Sequence, residues 1–461
     1  MSDERQLRAL LARAAELPDD VQPTVRPLVE RGRRHRAVRA AASVLAAGVV
    51  AAAAFALPAV LARPHGTVPG PAAGGGRYPS VVPPAPPRWP SSESGPTARQ
   101  LTGFRWSSLP PSPLGAVSDP LLTWTGSELV ELGGFRGKAQ SHEGAVYDPA
   151  TRRWHRTPDV QADLSNNADG PGAATAWTGR ALFVAAPPAP RCRGAGCRPR
   201  ASLYDPATNS WSTAPVPGRF DGLIPQSAVW TGRAIVLAAV NAAGGRLAIG
   251  AYYPATGRWQ MITPRLPADQ PSAGVIMAAV PGRLVVWSLW QVVHNYKHGY
   301  SIRSGVSVLA LTSSGIWHTL AARWPQHQTV SPPTLTSYGF LFGASEIWCG
   351  DACSPPSASF PGFFANPVTL ARRPIPPGPL GSAEPSYLWT GMAVLAVNLY
   401  TEISGQHIHI RPDAMAAWDT ASGWLTLPPP PGYPPLAAPP AWTGSALLEL
   451  TANGQLLSFA R

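Results

Sequence analysis

The side chains with the clearest capacity for chemistry lie in two stretches rich in histidine and aromatic residues. Groups of the kind that contact sugars or peptides gather in the first stretch, at Trp290, His294, Tyr296 and Tyr300. The second stretch carries His407 and His409, which a β-strand would place on one face as a pair of metal ligands. A zinc site needs at least one further protein ligand, so two exposed histidines are the simpler interpretation. These residues are weak candidates for ligand binding, and no metal or cofactor is expected.

Four cysteines form two close pairs, Cys192 with Cys197 and Cys349 with Cys353. Outside the cytoplasm, pairs of this kind form local disulfides. Metal binding is the alternative, but neither pair is flanked by histidine at the spacing of a ligand set. We therefore expect two disulfides.

Catalytic signatures are missing from the chain. It contains no G-x-S-x-G, H-E-x-x-H, phosphate-binding loop or dinucleotide fingerprint. Only 25 residues are acidic, and no pair of them stands out as the carboxylates of a glycosidase. A non-catalytic protein is therefore the favoured interpretation, with a divergent propeller enzyme as an alternative.

A repeated Trp-Thr-Gly motif indicates the elements that position these side chains. Its tryptophan and glycine stand at Trp124 and Gly126, Trp177 and Gly179, Trp230 and Gly232, Trp389 and Gly391, and Trp442 and Gly444. Degenerate copies end at Gly282 and Gly339, so successive glycines are 50 to 57 residues apart. A repeat of roughly 40 to 50 residues that is made of strands is typical of propeller blades.

A second motif travels with the first. It joins a tyrosine to Asp-Pro-Ala-Thr and a following tryptophan, and it is clearest at 147–154 and 204–211. Glycine in the first motif can take the positive φ of a tight hairpin, and Asp-Pro starts the second turn. Each unit therefore predicts four antiparallel strands, with its aromatic residues packed between blades.

The whole pattern predicts an all-β fold, a seven-bladed β-propeller of four-stranded antiparallel blades at 101–461. After Gly444 the chain has room for only three strands. The missing type of strand, which begins with Trp and ends in Pro, occurs at 106–110, so an N-terminal strand is expected to close the last blade. The variable loops between second and third strands share one rim, where binding is expected.

The two turn motifs and the double glycine Gly133-Gly134 resemble those of kelch repeats and of galactose-oxidase-type propellers. The resemblance covers 101–461 and indicates a divergent member, because the other blades lack the double glycine. The stretch 256–259 is also similar to quinoprotein propeller repeats. Galactose oxidase chemistry would require a copper site with a Cys linked to a Tyr, and the close pairing of all four cysteines does not support it.

The first hundred residues have a different composition. Residues 40–62 carry no charge, would span about 35 Å as a helix, and follow five arginines within 31–39. These features predict one transmembrane helix with the 1–39 tail in the cytoplasm and the propeller outside; a cleaved signal peptide is the alternative. The tail contains a short amphipathic helix ended by Pro18. Residues 63–100 are rich in Pro and Gly and are expected to form a linker.

The net charge is +12, of which the 1–39 tail contributes +3, and the remaining +9 is spread over isolated arginines without basic runs. Nucleic-acid binding is therefore not expected, whereas an anionic glycan or an extracellular protein remains a candidate partner. The sequence favours a single-pass cell-membrane protein that displays a kelch-like propeller for protein or glycan binding. An alternative is a membrane-bound, anti-sigma-like signalling regulator in which the propeller is the sensor and the N-terminal helix binds a cytoplasmic partner.

Overall fold

A computed structural model describes most of the propeller region. It covers residues 81–82, 94–137, 139–160, 164, 173–188, 192, 196–241, 245–264, 266, 272–296, 299–324, 333–342, 362–380, 385–404, 407–432 and 436–461. The tail at 1–39 and the predicted span at 40–62 lie outside these residues. Within them, no helix has the length and apolar character needed to cross a membrane.

Seven four-stranded antiparallel sheets form the blades of a β-propeller, which confirms the predicted all-β architecture. Blade 1 consists of β2 (Leu121–Trp124), β3 (Leu129–Leu132), β6 (Gly144–Asp148) and β7 (Arg153–Thr157). Blade 2 consists of β8 (Ala174–Trp177), β9 (Leu182–Ala186), β10 (Arg200–Asp205) and β11 (Ser210–Thr213). Blade 3 consists of β12 (Ile224–Trp230), β13 (Ile235–Val240), β14 (Leu247–Tyr253) and β15 (Arg258–Met261).

The remaining blades repeat this order with strands of very different length. Blade 4 consists of β16 (Ser272–Val280), β17 (Arg283–Tyr296), β18 (Gly299–Thr312) and β19 (Trp317–Trp324). Blade 5 consists of β20 (Thr334–Thr336), β21 (Gly339–Phe342), β22 (Phe363–Ala365) and β23 (Arg372–Pro374). Blade 6 consists of β24 (Pro385–Trp389), β25 (Val394–Ser404), β26 (His407–Asp419) and β27 (Gly423–Leu427).

Blade 7 joins the two ends of the described domain. Its strands are β28 (Ala441–Trp442), β29 (Leu447–Leu450), β30 (Leu456–Ala460) and, outermost, β1 (Arg105–Ser108). Arg105 pairs with Ala460 and Ser108 with Leu457. Smaller elements are the two-stranded β4 (Phe135–Arg136) and β5 (Ala139–Gln140), helix α1 (Ala98–Leu101) and the 3₁₀ turn η1 (Gly218–Phe220).

Hydrogen bonds explain why both repeat motifs form turns. In blade 3 the Thr231 hydroxyl donates to the Ala234 carbonyl at 3.0 Å and accepts from the Ala234 amide at 3.2 Å, while Gly232 has φ of 85°. In blade 2 the Asp205 carboxylate accepts from the Ala207 amide at 3.0 Å. These two kinds of turn form one rim of the propeller, which we call the turn rim. The connections between second and third strands and between blades form the loop rim.

Apolar second strands fill the space between blades. In β13 all six residues are buried. Ile235 and Leu237 pack against blade 2, whereas Val236 and Ala238 pack against blade 4. Side chains on both faces of such a strand are thus removed from water. For this reason the sequences of these strands are continuous apolar runs. At about 25 cal/mol per Å² of apolar surface, this burial is the main stabilising contribution of the ring.

The repeat aromatics pack as the sequence predicts. Tyr147 and Trp154 face each other across β6 and β7 with ring centroids 5.2 Å apart. The Trp154 indole also donates to the carbonyl of Pro110, which follows the outer strand of blade 7. Trp317 makes the same bond from blade 4 to Ile262 at the end of blade 3. Neighbouring blades are therefore joined by polar as well as apolar contacts.

The residues just before β1 pack on the turn rim of blade 6. The Thr390 hydroxyl donates to the Pro96 carbonyl at 3.0 Å, and the Ala98 amide donates to the Asp419 carboxylate at 2.8 Å. A capping box between Thr97 and Gln100 begins α1. Further upstream, Val81 and Val82 are buried among residues of blades 3 and 4. Part of the segment expected as a linker is thus in contact with the propeller.

Candidate functional site

The loop rim is uneven because two hairpins extend beyond the other blades. Strands β17 and β18 have 14 residues each, and β25 and β26 have 11 and 13. The second strands of blades 1, 5 and 7 have four residues each. Blade 5 separates the two long hairpins, so the histidine and aromatic candidates lie on different blades that are not neighbours.

Most predicted site residues lie at the ends of these hairpins. In blade 4 the backbone of His294 pairs with Ser301, that of Tyr296 with Gly299, and that of Tyr300 with Asn295. The structure describes the backbone, not the side chains, at these positions. Their role as ligand contacts stays a prediction.

The two histidines of blade 6 lie beside its hairpin turn. His407 pairs with Ser404, and His409 pairs with Glu402. Here too only the backbone is described. Among the described residues, no three His, Cys, Asp or Glu side chains lie close enough together to hold a metal ion.

Trp290 differs from the other candidates because its side chain is described and is 6% exposed. It pairs with Ser272 on one side and Gly305 on the other, well before the hairpin tip. Its indole nitrogen has no hydrogen-bond partner among the described residues. Trp290 therefore belongs to the interior of blade 4 in this structure.

A disulfide joins Cys192 and Cys197 in the loop between β9 and β10, with Cα atoms 5.5 Å apart. The predicted first disulfide is therefore present. Cys349 and Cys353 lie outside the described residues, so their pairing stays a prediction.

A cleft of about 560 Å³ opens on the loop rim between blade 3 and the connection that leads to it from blade 2. Its lining includes three residues with charged side chains, Arg219, Asp221 and Arg246. Arg219 and Asp221 come from the connection between β11 and β12, and Arg246 from the connection between β13 and β14. The interblade connection and the second-to-third-strand loop thus converge here, as the propeller topology requires.

Asp221 organises the wall of the cleft. Its Oδ2 accepts from the Gly196 amide at 2.9 Å, and its Oδ1 lies 3.1 Å from Nε of Arg198. Arg198 also donates to the Val216 carbonyl at 3.2 Å, and Arg246 donates to the Asp221 carbonyl. The single carboxylate is therefore engaged with the disulfide loop, and two guanidinium groups are held in place.

The cleft combines excess positive charge with an apolar floor. Arg219 is exposed and has no hydrogen-bond or ion-pair partner among the described residues. Leu247, Ala248 and Met261 line the floor. Guanidinium groups bind carboxylates through paired hydrogen bonds, and a methionine adapts to varied apolar surfaces. The arrangement suits an acidic group attached to a partly apolar ligand.

Two buried carboxylates form a second unusual feature. Glu131 and Glu449 stand seven residues after Trp124 and Trp442, on the second strands of blades 1 and 7, and both are fully buried. Burial raises the pKa of Glu131 to about 7, although a hydrogen bond from Ser112 at 2.6 Å opposes the shift. Burial raises the pKa of Glu449 to about 8. Neither Glu449 oxygen has a hydrogen-bond partner among the described residues.

Neither the cleft nor the pair of buried glutamates was predicted from the sequence. The three arginines are 21 and 27 residues apart in a chain with 37 basic residues, so no run marks them. Their shared placement in loop-rim connections of neighbouring blades was the available signal. The two glutamates stand at the same position of the repeat, inside apolar strands. This pattern would have been enough to predict two buried acids.

Comparisons with known proteins do not identify a family for this chain. No protein-family model and no curated protein sequence matches the chain. The resemblance to kelch and galactose-oxidase propellers therefore stays a prediction. Among solved structures, the chain is similar to YCF48 bound to D1 peptide, with 11% identity and a TM-score of 0.45. The alignment covers 83% of this chain and 99% of that one, and the likeness is too low to support any functional argument.

Proposed function

We propose that this protein is a single-pass membrane protein that holds a kelch-like propeller outside the cytoplasm as a non-catalytic binding module. Its ligand is an acidic protein segment or glycan, which binds in the cleft beside blade 3. The observation that carries this proposal is the group of Arg198, Arg219 and Arg246 beside one carboxylate that is already engaged.

Rigidity supports a binding role. The cleft is lined by strands of blade 3 and the connection before it, and the disulfide between Cys192 and Cys197 restrains the loop that carries Arg198. A site whose side chains are already held loses less conformational entropy when a ligand binds. The disulfide also fits an oxidising compartment, as does the uncharged segment at 40–62 that follows a run of arginines.

The test measures binding of two defined acidic probes, poly-L-glutamate and hyaluronan, to the purified full chain in detergent. Arg219→Ala removes the arginine without a described partner, and Arg258→Ala removes the same charge from the turn rim as a matched control. A charge-assisted hydrogen bond contributes about 1.5–3 kcal/mol, so Arg219→Ala should weaken binding about tenfold or more. The probe that binds identifies the ligand class.

Two outcomes would contradict the proposal. One is that neither probe binds at low ionic strength. The other is that Arg219→Ala and Arg258→Ala weaken binding equally, because this result would indicate attraction to net charge and not to the cleft.

A further inference from the structure

The large apolar side chains that are exposed to solvent all lie on one part of the turn rim. Among the described residues they are Ile316, Leu335, Tyr338, Val368 and Met392, each between 36% and 53% exposed. They come from the turns, or the strand ends beside the turns, of blades 4, 5 and 6. The turns and adjoining strand ends of three neighbouring blades thus share one rim and carry all five of these side chains. We call these five residues the turn patch.

Arginines contact two residues of the turn patch and also lie on the turns of the neighbouring blade 3. Arg233 and Arg258 are exposed on the turns of blade 3, and Arg373 is exposed on blade 5. The Arg373 guanidinium lies 5.9 Å from the ring centroid of Tyr338, and Arg283 donates to the Val368 carbonyl at 3.5 Å. The patch is therefore both apolar and basic.

Negative charge is nearly missing from the same turns. The turn sequences of blades 3 to 6 contain one carboxylate, Asp419. Asp419 is buried and accepts hydrogen bonds from the amides of Ala98, Ala421 and Ser422. Its negative charge is thus buried and partly offset by these three amide donors.

The N-terminal segment reaches the same part of the propeller. Its Pro96 carbonyl accepts from Thr390, whose turn also carries Met392 of the turn patch. The uncharged stretch 40–62 precedes this contact by about thirty residues. A membrane that holds this stretch would therefore lie within reach of the turn rim.

We propose that the turn patch rests on the surface of an anionic lipid bilayer, with the loop rim directed away from it. This inference rests on the membrane anchor in the proposed function. Aromatic and apolar side chains enter the interfacial region of a bilayer, and each nearby arginine adds about 1 kcal/mol with anionic lipid. Because the anchor keeps the domain at the membrane, a contact that is weak by itself is occupied.

The test uses the full chain reconstituted in vesicles that contain phosphatidylglycerol or only phosphatidylcholine. Met392→Cys is labelled with an environment-sensitive fluorophore, and lipids with a spin-labelled headgroup act as quenchers. Arg219→Cys, on the loop rim, is the matched control, and the parent chain sets the labelling background. The label at position 392 should be quenched several-fold more than that at 219, and more strongly with phosphatidylglycerol. Arg233→Glu should reduce the difference between the two lipids.

Three outcomes would overturn the proposal. If the protein co-floats with the vesicles but the labels at 392 and 219 are quenched equally, the docking of the turn patch is refuted. The membrane anchor is not contradicted by this result. Failure to float with the vesicles would refute the anchor and the docking together. Energy transfer between labels at 392 on different molecules, independent of lipid charge, would assign the turn patch to a second copy of the chain.

Discussion

The indole nitrogen of Trp211 donates a hydrogen bond to the carbonyl of Pro158, 3.0 Å away, and ties the outer strand of blade 2 to the end of blade 1. Trp259 occupies the same position in blade 3 and packs on Tyr252 as Trp211 packs on Tyr204, with centroids 5.2 and 5.1 Å apart. The Trp259 nitrogen, however, has no hydrogen-bond partner among the described residues.

We predict that Trp211→Phe destabilises the domain more than Trp259→Phe does, by about 1 kcal/mol. Both changes keep an aromatic ring against the neighbouring tyrosine, and at position 259 also against Phe220, but only the first removes a hydrogen bond. Urea unfolding of the two variants measures the difference. Equal losses would show that the indole bond contributes nothing to the blade interface.

The buried glutamates predict that stability falls as pH rises. In the folded state Glu131 and Glu449 keep their protons up to about pH 7 and 8, whereas in the unfolded chain both are released near pH 4.5. Between these limits the folded state binds more protons, so each group lowers the free energy of unfolding by about 1.4 kcal/mol per pH unit.

Glu449→Gln should flatten this dependence and make the domain more stable than the parent at pH 8, because the amide stays neutral. Denaturant unfolding at pH 5 and pH 8 measures both effects, with Glu131→Gln as the matched variant. Asp148 and Asp419 do not disturb the comparison, since hydrogen bonds lower the pKa of each and both stay ionised throughout this window. A parent protein that is equally stable at the two pH values would contradict the burial argument.

Alanine substitutions at Gly391 and Gly444 can distinguish the effect of turn strain from the effect of contact with the N-terminal segment. Gly391 and Gly444 have φ of 102° and 97°, so alanine is strained at both. A Cβ at Gly391 would lie 2.6 Å from the Ser94 carbonyl oxygen, whereas one at Gly444 meets no atom within 4 Å. Gly391→Ala should lower the melting temperature more than Gly444→Ala.

Gly391→Ala should also speed tryptic cleavage after Arg99, which is exposed in α1 beside this contact. Limited proteolysis followed by mass spectrometry detects the cleavage. If both glycine variants are cleaved at the parent rate, the 94–97 segment is not held by the blade 6 turn.

Two substitutions of Asp221 can distinguish the effect of its negative charge on ligand binding from its effect on the position of the disulfide loop. Asp221→Ala and Asp221→Asn remove the same negative charge, but only asparagine can still accept from the Gly196 amide. We predict that Asp221→Ala binds poly-L-glutamate more weakly than Asp221→Asn, because in the alanine variant the Gly196 amide of the disulfide loop loses its acceptor. If net charge alone decided affinity, both variants would bind poly-L-glutamate more tightly than the parent. Binding titrations at two salt concentrations distinguish the two outcomes.

The blades could be predicted from sequence because their determinants are local and repeated. Thr231, Gly232 and Asp205 build turns with neighbours two or three residues away, and the pattern recurs along the chain. The cleft could not be predicted in this way, because Arg198 and Arg246 meet at Asp221 only after two blades have folded side by side. The turn patch was missed for a related reason, since an apolar residue in a turn has no period that distinguishes it from a core residue.

The contact between Ala98 and Asp419 also decides how the domain would carry mechanical tension. A pull on the N-terminal segment reaches blade 6 before it reaches β1, because the residues around α1 are attached there first. Beyond that attachment, β1 pairs with β30 from Arg105 to Ser108. The contact at blade 6 therefore takes up load before the strand that completes blade 7 does.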